Sequence, residues 1–269
     1  MGATQQSASL LVLEERSGPV LTLRLNRPEK LNPFNPELCG ALVHALLRAG
    51  EDRSVRAVVI IGSGRGFCAG GDLDYIRDAR SRKSVHELEE LLKLGKELCL
   101  AIVSMPKIVI AAVNGPAAGG GMSLALACDL RIASEQASFK QAFGQIGLYP
   151  DFGTTFFLPR LVGLARATEL FYTSEQLSAA DACRIGIVCR VCSHDQFEGE
   201  AQELAQAVAA GPPLAFRDVK RTMIGQAHRE LEEALDVENR LQVHCFLSDD
   251  CAEGLAAFFE KRAPNFRGH

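Results

Sequence analysis

Three glycine-bearing stretches and one aspartate offer chemistry in this chain. The first stretch, Gly62-Ser63-Gly64-Arg65-Gly66-Phe67-Cys68-Ala69-Gly70-Gly71-Asp72, follows an apolar β-branched run. Glycine weakens helices and strands, so its repeated use points to backbone that must come close to something. A dinucleotide-binding turn does not fit, because the third glycine of G-x-G-x-x-G falls on Phe67. No G-x-x-x-x-G-K-[ST] phosphate loop occurs either. The second stretch, Asn114-Gly115-Pro116-Ala117-Ala118-Gly119-Gly120-Gly121-Met122-Ser123, lies between an apolar run and an apolar helix. Consecutive glycines at a helix start present free N–H groups and the positive end of the helix dipole, which suits an oxyanion; tight helix–strand packing is the structural alternative. The third, Gly147-Leu148-Tyr149-Pro150-Asp151-Phe152-Gly153-Thr154-Thr155, opens another helix. Asp151 there is either an ordinary residue of a helix start or an acid whose neighbours Phe143, Leu148, Tyr149 and Phe152 raise its pKa by desolvation.

Elements that alternate along the chain must position these groups. Leu10–Leu13 and Val20–Leu25 read as strands, and a helix opens near Pro36 and runs to about Leu47. Val58–Ile61 reads as a strand, Val85–Val103 as an amphipathic helix, Lys107–Val113 as a buried strand, Leu124–Ala127 as helix and Asp129–Ala133 as strand. That rhythm predicts an α/β fold. From Thr154 onward helices dominate, with Ile187–Cys192 the exception, so residues 1–195 are expected to form the core and 196–269 a helical region.

Composition narrows the function classes. The 269 residues are 47% hydrophobic and 23% charged, an ordinary globular balance. A net charge of −4, without a run of five like charges, leaves no footprint for nucleic acid. No apolar stretch approaches a membrane span, and Met1–Ser7 carries no recognisable sorting signal, so a cytoplasmic location is expected. Nine scattered cysteines fit reduced thiols, and the lone C-x-x-C of Cys189 and Cys192 reads as buried strand residues. His44, His86, His194, His228 and His244 lack ligand spacing, so neither a metal nor a redox cofactor is expected.

Taken together, Asn26-Arg27-Pro28 with Asn32, Gly66-Phe67-Cys68-Ala69-Gly70-Gly71-Asp72, the Asn114–Asp129 segment and Leu158-Pro159-Arg160-Leu161-Val162-Gly163 resemble the crotonase, or enoyl-CoA hydratase/isomerase, superfamily from about Leu10 to Phe266. The resemblance implies a spiral of ββα units and a helical carboxy-terminal region that builds trimers or hexamers. It implies a coenzyme A thioester as substrate, its oxygen gripped by two backbone N–H groups that carry over to Cys68 and Gly120. Lys30, Ala69, Gly70, Gly71, Asp72, Leu73, Gly119, Ser123, Phe143, Tyr149 and Lys261 are the residues expected around the acyl-CoA.

The chain departs from the hydratases of that family where their two catalytic glutamates fall, at Ser123 and Phe143. Asp151 instead matches the catalytic aspartate of the dienoyl-CoA and ring-epoxide phenylacetyl-CoA isomerases, and Ser138–Gly163 is especially similar to the latter. One base suffices for a proton shift, whereas hydration also needs an activated water. An isomerase acting through Asp151 is therefore expected. The alternatives are a hydratase with unusual residues, a dehalogenase-like nucleophilic Asp151 (disfavoured by the absence of tryptophan), or an acyl-CoA binder without turnover.

Overall fold

A computed structural model describes residues 10–225 and 227–269; the Met1–Ser7 stretch read above lies outside the described residues. Strands β1 (Val12–Ser17) and β2 (Val20–Leu25) form a hairpin. Helix α1 (Pro36–Glu51) starts where the Asn35 side chain accepts the Leu38 N–H and Pro36 presets the first turn. There follow β3 (Ala57–Gly62), α2 (Leu73–Ser81), α3 (Val85–Ser104), β4 (Ile108–Val113), β5 (Ala117–Ala118), α4 (Gly120–Ala127), β6 (Leu130–Ser134) and β7 (Ser138–Lys140). The remainder is α5 (Thr154–Val162), α6 (Leu164–Thr173), β8 (Gln176–Ser178), α7 (Ala179–Arg184), β9 (Arg190–Cys192), α8 (Phe197–Ala210), α9 (Pro213–Gly225), α10 (His228–Leu247) and α11 (Asp249–Glu260).

The strands make a six-stranded sheet in the order β1-β2-β3-β4-β6-β9 and a three-stranded sheet β5-β7-β8. Beyond the antiparallel β1–β2 pair, the large sheet is parallel. Successive turns of the chain give one strand to each sheet, as β4 and β5 do, then β6 and β7. The turn after β3 joins the same pattern through an isolated parallel bridge between Cys68 and Ala117, so the small layer begins at the first glycine stretch.

Burial on both faces of the large sheet explains why β3 and β4 read as unbroken apolar runs. Val58, Ile60, Val109 and Ala111 point into a core shared with Leu38, Leu42 and Leu46 of α1 and Leu91, Leu98 and Ile102 of α3. Ala57, Val59, Ile61, Ile110 and Ala112 face the other way, under Phe197, Ala201 and Ala205 of α8. A third cluster, with Ile76, Leu88, Leu92, Phe143, Leu148 and Phe246, joins α2 and α3 to α10 and α11.

Where reading and structure differ, the cause is local. β1 begins at Val12 and continues through exposed Glu14–Ser17, an edge position that needs no apolar alternation. β5, β7 and β8 are two or three residues long, too short for a periodic signature. Cys192 is buried as expected, but Cys189 precedes β9 and is exposed. No helix among the described residues is long and apolar enough to cross a membrane.

Candidate active site

Asparagines shape the first glycine turn. Asn32 Nδ2 donates to the Ser63 and Gly66 carbonyls at 3.0 and 2.9 Å, and Asn114 Nδ2 to the Gly64 carbonyl at 2.9 Å, while Asn114 Oδ1 accepts the Gly62 N–H. These side chains satisfy carbonyls of a tight turn that has no ladder partner. The approach of the two glycine stretches is close: a Cβ on Gly121 would stand 2.0 Å from the Cys68 carbonyl oxygen, so only glycine fits there.

One pocket of about 490 Å³ brings together most of the residues expected at the site: Lys30, Ala69, Gly70, Gly71, Asp72, Leu73, Gly119, Gly120, Phe143 and Asp151. Four others lie elsewhere. The Ser123 hydroxyl is buried and donates to the Gly119 carbonyl one turn back at 3.2 Å, so it is a helix back-bond rather than a pocket group. Tyr149 is half-buried and does not line the pocket, and Lys261 is exposed past the end of α11. Asp72, itself buried, caps α2 and pairs with Arg27 at 2.7 Å, while Lys30 pairs with Asp74 at 2.8 Å.

Cys68 is the fourth. Its N–H, expected to be a free donor, already donates to the Pro116 carbonyl at 3.2 Å, and burial pushes its thiol up to about 12. Neither group is available to a ligand, so the expected role of Cys68 does not stand. Gly71 offers what Cys68 does not. Around it Phe34 N–H donates to the Gly70 carbonyl and Asp72 N–H to the Phe34 carbonyl, which leaves the Gly71 N–H on the other side with no acceptor among the described residues. The Gly120 N–H, first in α4, likewise has none. Both residues line the pocket.

The signal that picks Gly71 is a six-residue pattern, G-x-x-A-G-G. It occurs as Gly66-Phe67-Cys68-Ala69-Gly70-Gly71 and again as Gly115-Pro116-Ala117-Ala118-Gly119-Gly120. The bridge pairs the third residue of one copy with the third of the other, Cys68 with Ala117. In both copies the fifth residue has positive φ, +96° at Gly70 and +48° at Gly119, and the sixth carries the free N–H. Cys68 is thus the structural equivalent of Ala117, and Gly71 of Gly120.

Asp151 stands beside the Gly120 helix start. Its Oδ1 lies 3.6 Å from where a Gly120 Cβ would stand and has no hydrogen-bond partner among the described residues. Its Oδ2 accepts from Gln242 Nε2 at 3.0 Å. Burial raises the carboxyl to about 8, with the Gln242 hydrogen bond opposing and the charge of Glu238 reinforcing the shift. Glu238 is itself buried and lifted to about 7 by desolvation, against hydrogen bonds from Thr155 and Gly153 at the start of α5. Glu238 and Gln242 were not foreseen. Their signal was two polar residues in the buried stripe of α10, otherwise Leu231, Leu235 and Phe246.

Phe152, next to Asp151, adopts φ +56°, an uncommon conformation for a bulky residue. Its ring stacks on Phe34 with centroids 5.3 Å apart and fills a notch left by Gly95 of α3. A Cβ on Gly95 would meet that ring at 2.5 to 2.8 Å. Gly95→Ala is therefore expected to lose about 2 kcal/mol and to melt about 5 °C lower by calorimetry. An unchanged melting temperature would show that the ring yields without strain.

Comparison with known proteins supplies the family. Residues 15–269 match the family described as enoyl-CoA hydratase/isomerase. The chain is 38% identical to 1,2-epoxyphenylacetyl-CoA isomerase of Escherichia coli, over 93% of this chain and 95% of that protein. It is 41% identical to a probable enoyl-CoA hydratase of Rhodobacter capsulatus, over 94% and 96%. A solved enoyl-CoA hydratase of Mycobacterium avium subsp. paratuberculosis superposes with a TM-score of 0.84 at 35% identity, over 96% of this chain and 98% of that one. The chain belongs to the enoyl-CoA hydratase/isomerase family and has its α/β spiral with carboxy-terminal helices.

Proposed function

We propose that the protein is an isomerase of a coenzyme A thioester. The Gly71 and Gly120 N–H groups hold the thioester oxygen, Asp151 takes a proton from a carbon near the carbonyl, and the resulting enolate is stabilised until the proton returns at another carbon. One observation carries this reading: among the described residues lining the pocket, Asp151 is the carboxyl without an ion-pair partner, since Asp72 and Asp74 are tied to Arg27 and Lys30. Phe143 lines the wall and Ser123 is turned away, so the positions implied for the hydratase glutamates supply no base. Similarity to an isomerase of a ring-derived CoA thioester supports the proposal, and similarity to a probable hydratase supports its competitor.

The test is incubation with trans-2-enoyl-, trans-3-enoyl- and ring-derived enoyl-CoA thioesters in D₂O, followed by mass spectrometry. A moved double bond without added oxygen is expected. A product heavier by one water would assign hydration instead, and binding without any product would assign a carrier.

A further inference from the structure

Gln242 of α10 uses its amide at both ends. Its Oε1 accepts the Tyr149 N–H at 2.7 Å, and its Nε2 donates to Asp151 Oδ2 at 3.0 Å. A backbone N–H can only donate, so it fixes the amide with oxygen toward Tyr149 and nitrogen toward Asp151. We infer that Gln242 is a positioning residue for the proposed reaction, holding Asp151 by Oδ2 so that Oδ1 alone faces the substrate and carries the transferred proton. The inference rests on Asp151 being the base.

Three features support it. Oδ1 is the buried oxygen without a partner, and it points toward the Gly120 helix start. A donor held against Oδ2 stabilises the ionised carboxyl and, in the neutral acid, leaves Oδ1 as the oxygen that bears the proton. Glu238, one turn earlier on α10, takes the N–H groups of Gly153 and Thr155, so one face of this helix grips the chain on both sides of Asp151.

The titratable groups around Asp151 are Glu238 from α10 and the thiols of Cys39 from α1 and Cys99 from α3. Burial pushes both thiols far up, so they stay neutral through the working range, whereas Glu238 ionises near Asp151 and shares its pH profile. Replacing Gln242 leaves Glu238 in place. Loss of a donor to the carboxylate raises the Asp151 pKa, and only ionised Asp151 accepts a proton, so the acid limb of activity moves to higher pH.

The experiment measures kcat, KM, the kcat–pH profile and Tm for Gln242→Leu and the near-isosteric Gln242→Glu, beside Asp151→Asn. In Gln242→Leu the limb is expected to rise by about one unit, so that kcat at pH 7 falls about tenfold, with KM changed less than about threefold. Gln242→Glu sets a second carboxyl against the first and is expected to raise the limb as well, which decides the matter if the leucine variant fails to fold. A lower Tm with an unmoved limb in the folded variants would mean that Gln242 is merely structural and would overturn the inference while leaving Asp151 as base. Activity retained in Asp151→Asn would overturn the base assignment and the inference together.

Discussion

Asp151→Asn is expected to lower the isomerisation rate by about 10³-fold and, at the same time, to make the protein more stable at pH 8. The first effect follows from removing the proposed proton acceptor. The second follows from the direction of its pKa. Burial raises the carboxyl from 3.8 to about 8, so the folded state binds its proton more tightly than the unfolded chain does. The penalty for burying the charge is absent below the unfolded value and grows as pH rises from about 4 toward 8. Even a third of that shift is on the order of 2 kcal/mol, or about 5 °C in Tm. Asparagine, which never ionises, escapes it. Melting curves of both proteins should therefore converge near pH 4 and separate as pH rises, the variant melting higher. Wild-type kcat should climb with pH through about 8, because only the ionised carboxyl takes a proton. A variant that keeps its turnover, or that is less stable at pH 8 than at pH 4 by the same margin as wild type, would contradict the assignment.

The second large effect is expected at Gly120. Its N–H takes no part in the folded backbone, and it is the first residue of α4, a position where proline is well tolerated. Gly120→Pro therefore deletes one of the two donors proposed for the thioester oxygen, with little strain on the helix. A Cβ there meets Asp151 Oδ1 at 3.6 Å and Phe34 at 3.7 Å, ordinary contacts, so Gly120→Ala adds the same carbon while keeping the N–H. Proline is expected to reduce kcat by about 10²–10³-fold relative to alanine, the range for losing one oxyanion donor. Equal rates in the two variants would remove Gly120 from the chemistry.

How much of this was legible depended on whether a feature was local. The buried strands β3 and β4 and helices α1, α3 and α10 announce themselves because their burial is continuous along the chain. Asp151 and Gly120 were reached through the family resemblance, since a glycine-marked helix start alone left a structural role open for each. Cys68, carried over from the same resemblance, gives way in the proposed site to Gly71, three residues later, because its N–H is consumed by Pro116, 48 residues on, which no local pattern reveals. Gln242 and Glu238 stand 91 and 85 residues from their partners Asp151 and Gly153, and only packing of α10 on α5 brings them together. The bridge at Cys68 is a single pair, below the length at which strand alternation becomes visible.

That bridge sets a scale. Adjacent strands lie about 4.8 Å apart, and two N–H donors at that separation, each about 2.9 Å from a common oxygen, meet it at an angle of about 110°, near the angle between an oxygen's lone pairs. The copies of G-x-x-A-G-G lie side by side, paired at their third residues, and each passes through a fifth residue of positive φ before its free N–H. The anion grip proposed here would come from repetition rather than from a converging set of loops. Loop insertions elsewhere would then reshape the surroundings of the two N–H groups while leaving the paired turns that carry them unchanged.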